Sequence, residues 1–334
     1  MIWTAFRGLL ATLVAAVALG GCGGDDESPP PSGPLADALA GIGGGGAHGS
    51  LGVGWVDPQL IQRSGAGGAS LMEAALGPNA SSLIKEAPRI QREFGFDPRS
   101  ADRLVSVGGS YAFGLRMDGV DGGRLASALV DAGGESTEDG DLQLIEIGDY
   151  AVVPDPLLRL DVRGLGAFDA IAPDRVALAI SDRALNALLG VGDRLIDEPI
   201  YRAAADCLQG SVAVRMVPDQ LVIAADLGVN LIGIGVTEEG EILCTLGGEP
   251  ERAEEIAAAL ERMLAPGARD PVSGERIDQS VTGVEVEHSQ YDGVEVVRAE
   301  GAAAGARPDG YFLRTIALGS LARLINGQDE SVIP

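Results

Sequence analysis

Few side chains in this sequence are equipped for chemistry, and the neighbours of each say what it could do. The chain has two histidines, the residues that carry protons near neutral pH. His48 lies in the glycine run GIGGGGAHG, and His288 closes the alternating stretch VTGVEVEH on the side of Val284 and Val286. That alternation predicts a partly buried histidine at a strand end, with no acid-base role. No serine stands in a Gly-x-Ser-x-Gly elbow, and no cysteine-histidine cluster has the spacing of a zinc site. Gly41, Gly43 and Gly46 carry the spacing of a dinucleotide loop, which needs a strand before it and a helix after it. Here the helix-like ADALAG precedes and the strand-like SLGVGWV follows, so the glycines read as a connector. The acidic turns TEDGD (Glu138, Asp139, Asp141) and DGVDGG (Asp118, Asp121) lack the Asp-x-Asp-x-Asp-Gly spacing of a calcium loop and read as solvated hairpin and helix-cap turns. The expectation is no catalytic residue, no cofactor and no metal.

Composition narrows the partners. Aromatic residues make up 4% of the chain, too few for a carbohydrate platform or a base-stacking surface, and Trp55, Tyr111 and Phe113 fit strands as core residues. Asp and Glu number 49 against 24 Lys and Arg, a net charge of −25. Such an excess repels nucleic acid and anionic lipid and favours solubility, while leaving room for a basic partner or a cation.

The elements that would position any site are legible as mixed helices and strands. Helices are predicted from Pro250 through PERAEEIAAALERML, with Ala253, Ile256, Ala257, Leu260, Met263 and Leu264 on one face; from Asp121, with Leu125, Ala128, Leu129 and Ala132 as its stripe; from Ser181-Asp182 to Gly190; and over YFLRTIALGSLARLIN. Period-two stretches joined by tight turns at Pro218-Asp219, Glu239-Gly240 and Asp292-Gly293 predict antiparallel hairpins. The fold class expected is α+β, antiparallel sheets with covering amphipathic helices in two related lobes. The strand-closing segments LRMDGVDGG from Leu115 and LRLDVRGLG from Leu158 hint at a repeat. Expected boundaries are a leader over 1–21, a Pro-rich acidic tether over 22–34, and lobes over 35–206 and 207–334. The pattern also resembles exported bacterial domains built from sheet-and-helix units.

The N-terminus carries the clearest signal. Arg7 is followed by the apolar run Gly8 to Leu19, then Gly20, Gly21 and Cys22. A basic start, a short apolar segment and a small-residue cleavage site are the layout of an export signal, and the run is shorter than the ~20 residues a bilayer span needs. Leu19-Gly20-Gly21-Cys22 resembles the lipobox of bacterial lipoproteins. The resemblance implies cleavage between Gly21 and Cys22, lipid on the Cys22 thiol, and a membrane partner held through that lipid on the extracytoplasmic face. Loss of Arg7 with the leader leaves 23 basic residues against 49 acids, a charge of −26. Outside the cytoplasm, Cys207 and Cys244 are expected either to pair as a disulfide or to lie buried as free thiols.

These readings predict a non-enzymatic, membrane-anchored envelope lipoprotein that binds or scaffolds an unknown envelope protein or ligand. The alternative is a carrier of lipid or another hydrophobic ligand, with an enclosed apolar cavity.

Overall fold

The computed structural model describes residues 30–44, 51–64, 68–109, 112–131, 133–146, 168–218, 228–304, 310–318 and 320–326. Cys22, His48, Tyr111, the Leu158 repeat and the Pro218-Asp219 turn beyond Pro218 lie outside them.

Among the described residues, twelve strands form one antiparallel sheet. They are β1 (Gly52–Val56), β2 (Arg103–Gly109), β3 (Ala112–Asp118), β4 (Glu135–Asp139), β5 (Leu142–Glu146), β6 (Phe168–Ala172), β7 (Arg175–Ala179), β8 (Ala213–Pro218), β9 (Leu231–Val236), β10 (Gly240–Leu246), β11 (Val281–Tyr291) and β12 (Val294–Ala303). Their order is β11-β12-β10-β9-β8-β1-β2-β3-β7-β6-β5-β4. The fold class is α+β, as the alternation of hairpins and amphipathic helices predicts.

Each half of the chain repeats one path. A three-strand meander (β1-β2-β3 or β8-β9-β10) leads into a helix, α6 (Gly123–Asp131) or α9 (Pro250–Met263). A strand return then lays its last member, β7 or β12, against the third strand of the meander. Gly119 (φ 79°) and Gly247 (φ 80°) leave β3 and β10 through the same left-handed turn, a conformation that glycine adopts without penalty. The halves meet at β1 and β8, which pair from Val53↔Met216 to Val56↔Ala213, so one sheet runs through the expected boundary near Cys207.

Helices cover both sheet faces because the strands are apolar on both. On one face lie α2 (Pro58–Ser64), α3 (Gly68–Leu76), α4 (Pro78–Lys85), α5 (Ala87–Phe94), α6, α9, α10 (Tyr311–Leu318) and α11 (Ser320–Asn326), burying Leu71, Ile90, Leu129, Ile256, Leu260 and Phe312 against Leu104, Leu115 and Ile234. On the other lie α1 (Pro34–Ala40), α7 (Asp182–Leu188) and α8 (Pro199–Cys207), whose Leu39, Leu188 and Tyr201 meet Trp55, Val105 and Val214. Each such aliphatic side chain contributes roughly 1.5–3 kcal/mol on burial. Trp55 and Phe113 are core residues, as expected.

The helix on Pro250 buries Ala253, Ile256 and Leu260 together with Ala259, which lies off the expected stripe. Ser181 caps α7, accepting from the Ala184 N–H. The last expected helix is described over Tyr311–Leu318 and Ser320–Asn326, α10 and α11, with residue 319 outside the described residues.

Three sheet arginines hold the covering layers through helix C-terminal carbonyls. Arg116 on β3 donates to Leu188 O at the end of α7 (2.7 Å) and to Gly41 O just past α1 (2.9 Å). Arg215 on β8 donates to Ala74 O in the last turn of α3 (3.2 Å), and Arg298 on β12 to Cys207 O at the end of α8 (3.2 Å). The carbonyls left over at a helix C-terminus carry partial negative charge, and a guanidinium satisfies both the charge and the hydrogen bond. Burial lowers the pKa of Arg116 and Arg215, against which Asp118, 3.3 Å from Arg116, works to keep the former charged.

Candidate functional site

A cleft of about 540 Å³ opens where α8 stops short of the sheet's β11 end. Its floor is β11, β12 and the start of β10, and its rim is Gly210 beyond α8 and the β9–β10 turn at Thr237, Glu238 and Glu239. In that turn the Thr237 hydroxyl accepts from the Glu239 and Gly240 N–H groups, so Glu238 and Glu239 stand at its tip, one residue earlier than the expected Glu239-Gly240 centre.

The strands supply the rest by alternation. Val281 is core, but Gly283 (φ 62°) begins a β-bulge that sets two residues of β11, Gly283 and Val284, against Gly301 alone. The phase of the strand shifts there. Val284 and Val286 therefore pack on the core, while Glu285 and Glu287 pair with Glu300 and Arg298 on the cleft face. Five carboxylates (Glu238, Glu239, Glu285, Glu287, Glu300) and one guanidinium (Arg298) line the cleft, leaving it four negative charges in excess. Arg298 is already engaged, with its Nη1 2.6 Å from Glu300 and its Nε on the Cys207 carbonyl. Glu285 and Glu300 sit directly opposite one another, an arrangement that is destabilising for like charges.

Behind the cleft, Cys207 and Cys244 form a disulfide between α8 and β10, with Cα atoms 6.5 Å apart. His288 lies on the face of Val286, as the alternation predicts, but within β11 and not at its end, since the strand continues to Tyr291. Its Nε2 is 2.7 Å from a Glu295 oxygen, and 27% of its side chain is accessible. The structure does not bring it to the cleft.

The glycine connector follows α1 and precedes β1, with Gly43 N–H bonded to Ala187 O (2.8 Å). TEDGD ends β4 with Thr137, Glu138 and Asp139 in the ladder and turns into β5 at Gly140-Asp141, and Asp121 accepts from Gly123 N–H at the start of α6. Among the described residues no group of three His, Cys, Asp or Glu side chains converges as a metal-binding set would, and no helix is long and apolar enough to cross a membrane.

The strongest electrostatic perturbations lie elsewhere. Asp169 on β6 is fully buried between Ile145 and Leu178, and burial raises its pKa well above the ordinary carboxylate value, with the Ala179 N–H working the other way. Burial also raises the Tyr311 phenol, helped by Asp270, whose carboxylate accepts its hydroxyl at 2.9 Å. These groups are core fastenings and open to no described cleft.

Sequence reasoning found the two cysteines but missed Arg298 and the five glutamates as a set. The one signal available was the outward pair Glu285 and Glu287. Comparison of the chain with protein-family models, curated proteins and solved structures finds no match.

Proposed function

We propose that this chain is a lipid-anchored extracytoplasmic binding module, held to the membrane through Cys22 and presenting its acidic body to a partner at the cell envelope. The observation that carries the reading is the pairing of Leu19-Gly20-Gly21-Cys22 with a disulfide that joins a covering helix to the sheet. Such bonds persist in oxidising compartments and are rare in the cytosol. A leader ending at a cysteine and a bonded pair in the body are independent signs of one address.

The charge of the cleft supports the binding of a cationic partner: among the described residues its lining carries five carboxylates against one guanidinium, and its one side-chain hydroxyl, on Thr237, is taken up by the turn. The carrier alternative needs apolar walls for an acyl chain, and a cleft lined by carboxylates gives it no support.

Fractionation of cells metabolically labelled with a fatty-acid probe tests the proposal. The full chain is expected in the membrane fraction with label, and Cys22→Ala is expected to lose both. Label retained by Cys22→Ala, or an unlabelled membrane-bound parent, would overturn it.

A further inference from the structure

Strand β11 ends the sheet and, among the described residues, has no neighbour on its outer side. The turn that precedes β12 determines which of its backbone groups are free. Asp292 (φ 54°) and Gly293 (φ 76°) form a two-residue hairpin turn, which makes Tyr291 and Val294 a hydrogen-bonded pair. Every second residue back along β11 then faces β12, namely Ser289, Glu287 and Glu285. The same parity holds on the far side of β12, where Glu295 O accepts from Gly247 and so points toward β10. Val286, His288 and Gln290 must therefore turn their N–H and C=O groups outward, three donors and three acceptors along one open edge.

That edge forms one border of the acidic cleft. Residues of an added strand lying beside Glu285 and Glu287 would place their side chains on the cleft face, about 5 Å from those of the two glutamates. Neither glutamate forms an ion pair among the described residues, Glu285 faces Glu300 across the ladder, and the single guanidinium nearby is spent on Glu300. Arg298 offsets Glu300 but leaves Glu285 without a paired cation among the described residues, which a cation at this position would supply. A second copy of this chain, pairing edge to edge, would add its own glutamates to the same face.

We propose that β11 is a docking edge for an extended, basic segment of a partner protein, one that adds as a thirteenth strand with lysine or arginine at alternate positions over Glu285 and Glu287. Main-chain bonds would supply affinity, and the alternate cations would supply specificity. The inference rests on the reading of this chain as a binding module and does not depend on the lipid anchor.

The test uses the full chain, produced with its own leader and purified in detergent, and three synthetic peptides followed by fluorescence anisotropy. These are a peptide alternating lysine with threonine, one of the same composition with its lysines in a block, and the alternating peptide N-methylated at every second residue. The alternating peptide is expected to bind at least tenfold more tightly than the other two, and Glu285→Lys with Glu287→Lys to weaken it at least tenfold. His288→Pro removes an outward N–H from an edge strand, together with the imidazole's contact to Glu295 on the face away from the cleft, and should weaken binding similarly, whereas Glu138→Pro, which removes an outward N–H on the opposite edge strand, should not. Equal binding of all three peptides would show attraction to a generally acidic surface and overturn the proposal. The N-methylated peptide probes the main-chain bonds without any substitution in the protein, so a variant that fails to fold leaves the test intact. Dimerisation abolished by His288→Pro, with no peptide binding, would assign the edge to a second copy instead. Loss of peptide binding with Cys22-dependent labelling intact removes only the docking edge, and the converse removes only the anchor.

Discussion

Arg298 donates its Nε hydrogen to the carbonyl of Cys207 while pairing across the ladder with Cys244, the residue to which Cys207 is bonded. The end of α8 is thus fixed to the sheet twice, by a covalent link and by a cation on its terminal carbonyl. Because α8 ends there, β11 and the lower part of β12 remain uncovered, and the cleft exists. The disulfide closes a sequence separation of 37 residues, worth about 4 kcal/mol by loop-closure entropy. Cys244→Ser is expected to lower stability by about 2–4 kcal/mol in denaturant titrations, with reductant producing the same loss in the parent. Full thiol alkylation of the native parent without reductant would contradict the bridge.

Asp169 gives a pH dependence whose sign can be worked out. Its folded carboxyl keeps its proton well above the ordinary value of 3.8, whereas the unfolded one releases it near that value. Between the two pKa values the folded state holds more protons, so stability falls as pH rises, by about 1.4 kcal/mol per pH unit. Asp169→Asn keeps the shape without the ionisation. It is expected to match the parent near pH 3 and to exceed it increasingly as pH rises toward neutrality. Parallel stability curves for the two proteins would refute the assignment.

Asp270 has the opposite sign. Burial pushes its carboxyl up, but the Ser273 and Val272 N–H groups and the Tyr311 hydroxyl outweigh that and hold it below the ordinary value. Its contribution is present above the unfolded pKa and is lost as pH falls through the folded one. Ser320 also donates to it, at 3.1 Å, so Asp270 ties the 270–274 turn to α10 and α11. Asp270→Asn should therefore lose stability at neutral pH and flatten the acid limb of the parent's curve, as read by urea unfolding from pH 3 to 7.

The parts of this fold legible in the sequence are those set by local periodicity and turn chemistry. Asp292-Gly293 specifies its hairpin, Ser181 its helix cap, and the Ile256 and Leu260 stripe its buried face. What was not legible depends on partners distant in sequence. Arg116, Arg215 and Arg298 look like ordinary strand charges until helices from other parts of the chain end above them. Helices α2 to α5 were missed for a related reason. They are short, and their apolar faces are completed by Leu104, Leu115 and Ile234 of the sheet, not by their own repeats. The acidic cleft was hidden because five glutamates among 49 acids stand out only when two hairpins and a bulge bring them together.

Gly54 on β1 marks a close approach of α3 to the sheet. A methyl group there would meet the Ser106 Oγ and would lie 2.6 Å from Ala75 O and 2.9 Å from the Leu76 Cα, the latter two backbone atoms of α3 that cannot swing aside. Ser106, opposite Gly54 on β2, donates to Leu76 O at 2.9 Å and holds the helix end down. Gly54→Ala is expected to cost about 1–3 kcal/mol as overpacking, more than a typical surface change. Ser106→Ala leaves a buried carbonyl without its partner and should cost a further ~1–3 kcal/mol. The two losses should not add in the double variant, because both act on the seating of one helix end.

The bulge at Gly283 allows a sharper comparison, between a substitution and a deletion. Gly283 adopts φ 62°, and an added Cβ would meet nothing within 4 Å, so the main cost of Gly283→Val is backbone strain. For a β-branched residue in that region the cost is roughly 1–2 kcal/mol. Removing Gly283 altogether would leave Thr282 opposite Ala302, Val284 opposite Gly301 and Glu285 opposite Glu300, a regular ladder with every side chain on its present face. The deletion should therefore be tolerated better than the valine, although it shortens the strand and straightens the local twist that a bulge introduces. Thermal unfolding of the two variants decides the matter. A deletion more damaging than Gly283→Val would mean that the bend itself, and not merely the alternation, holds β11 against Val281 and the core.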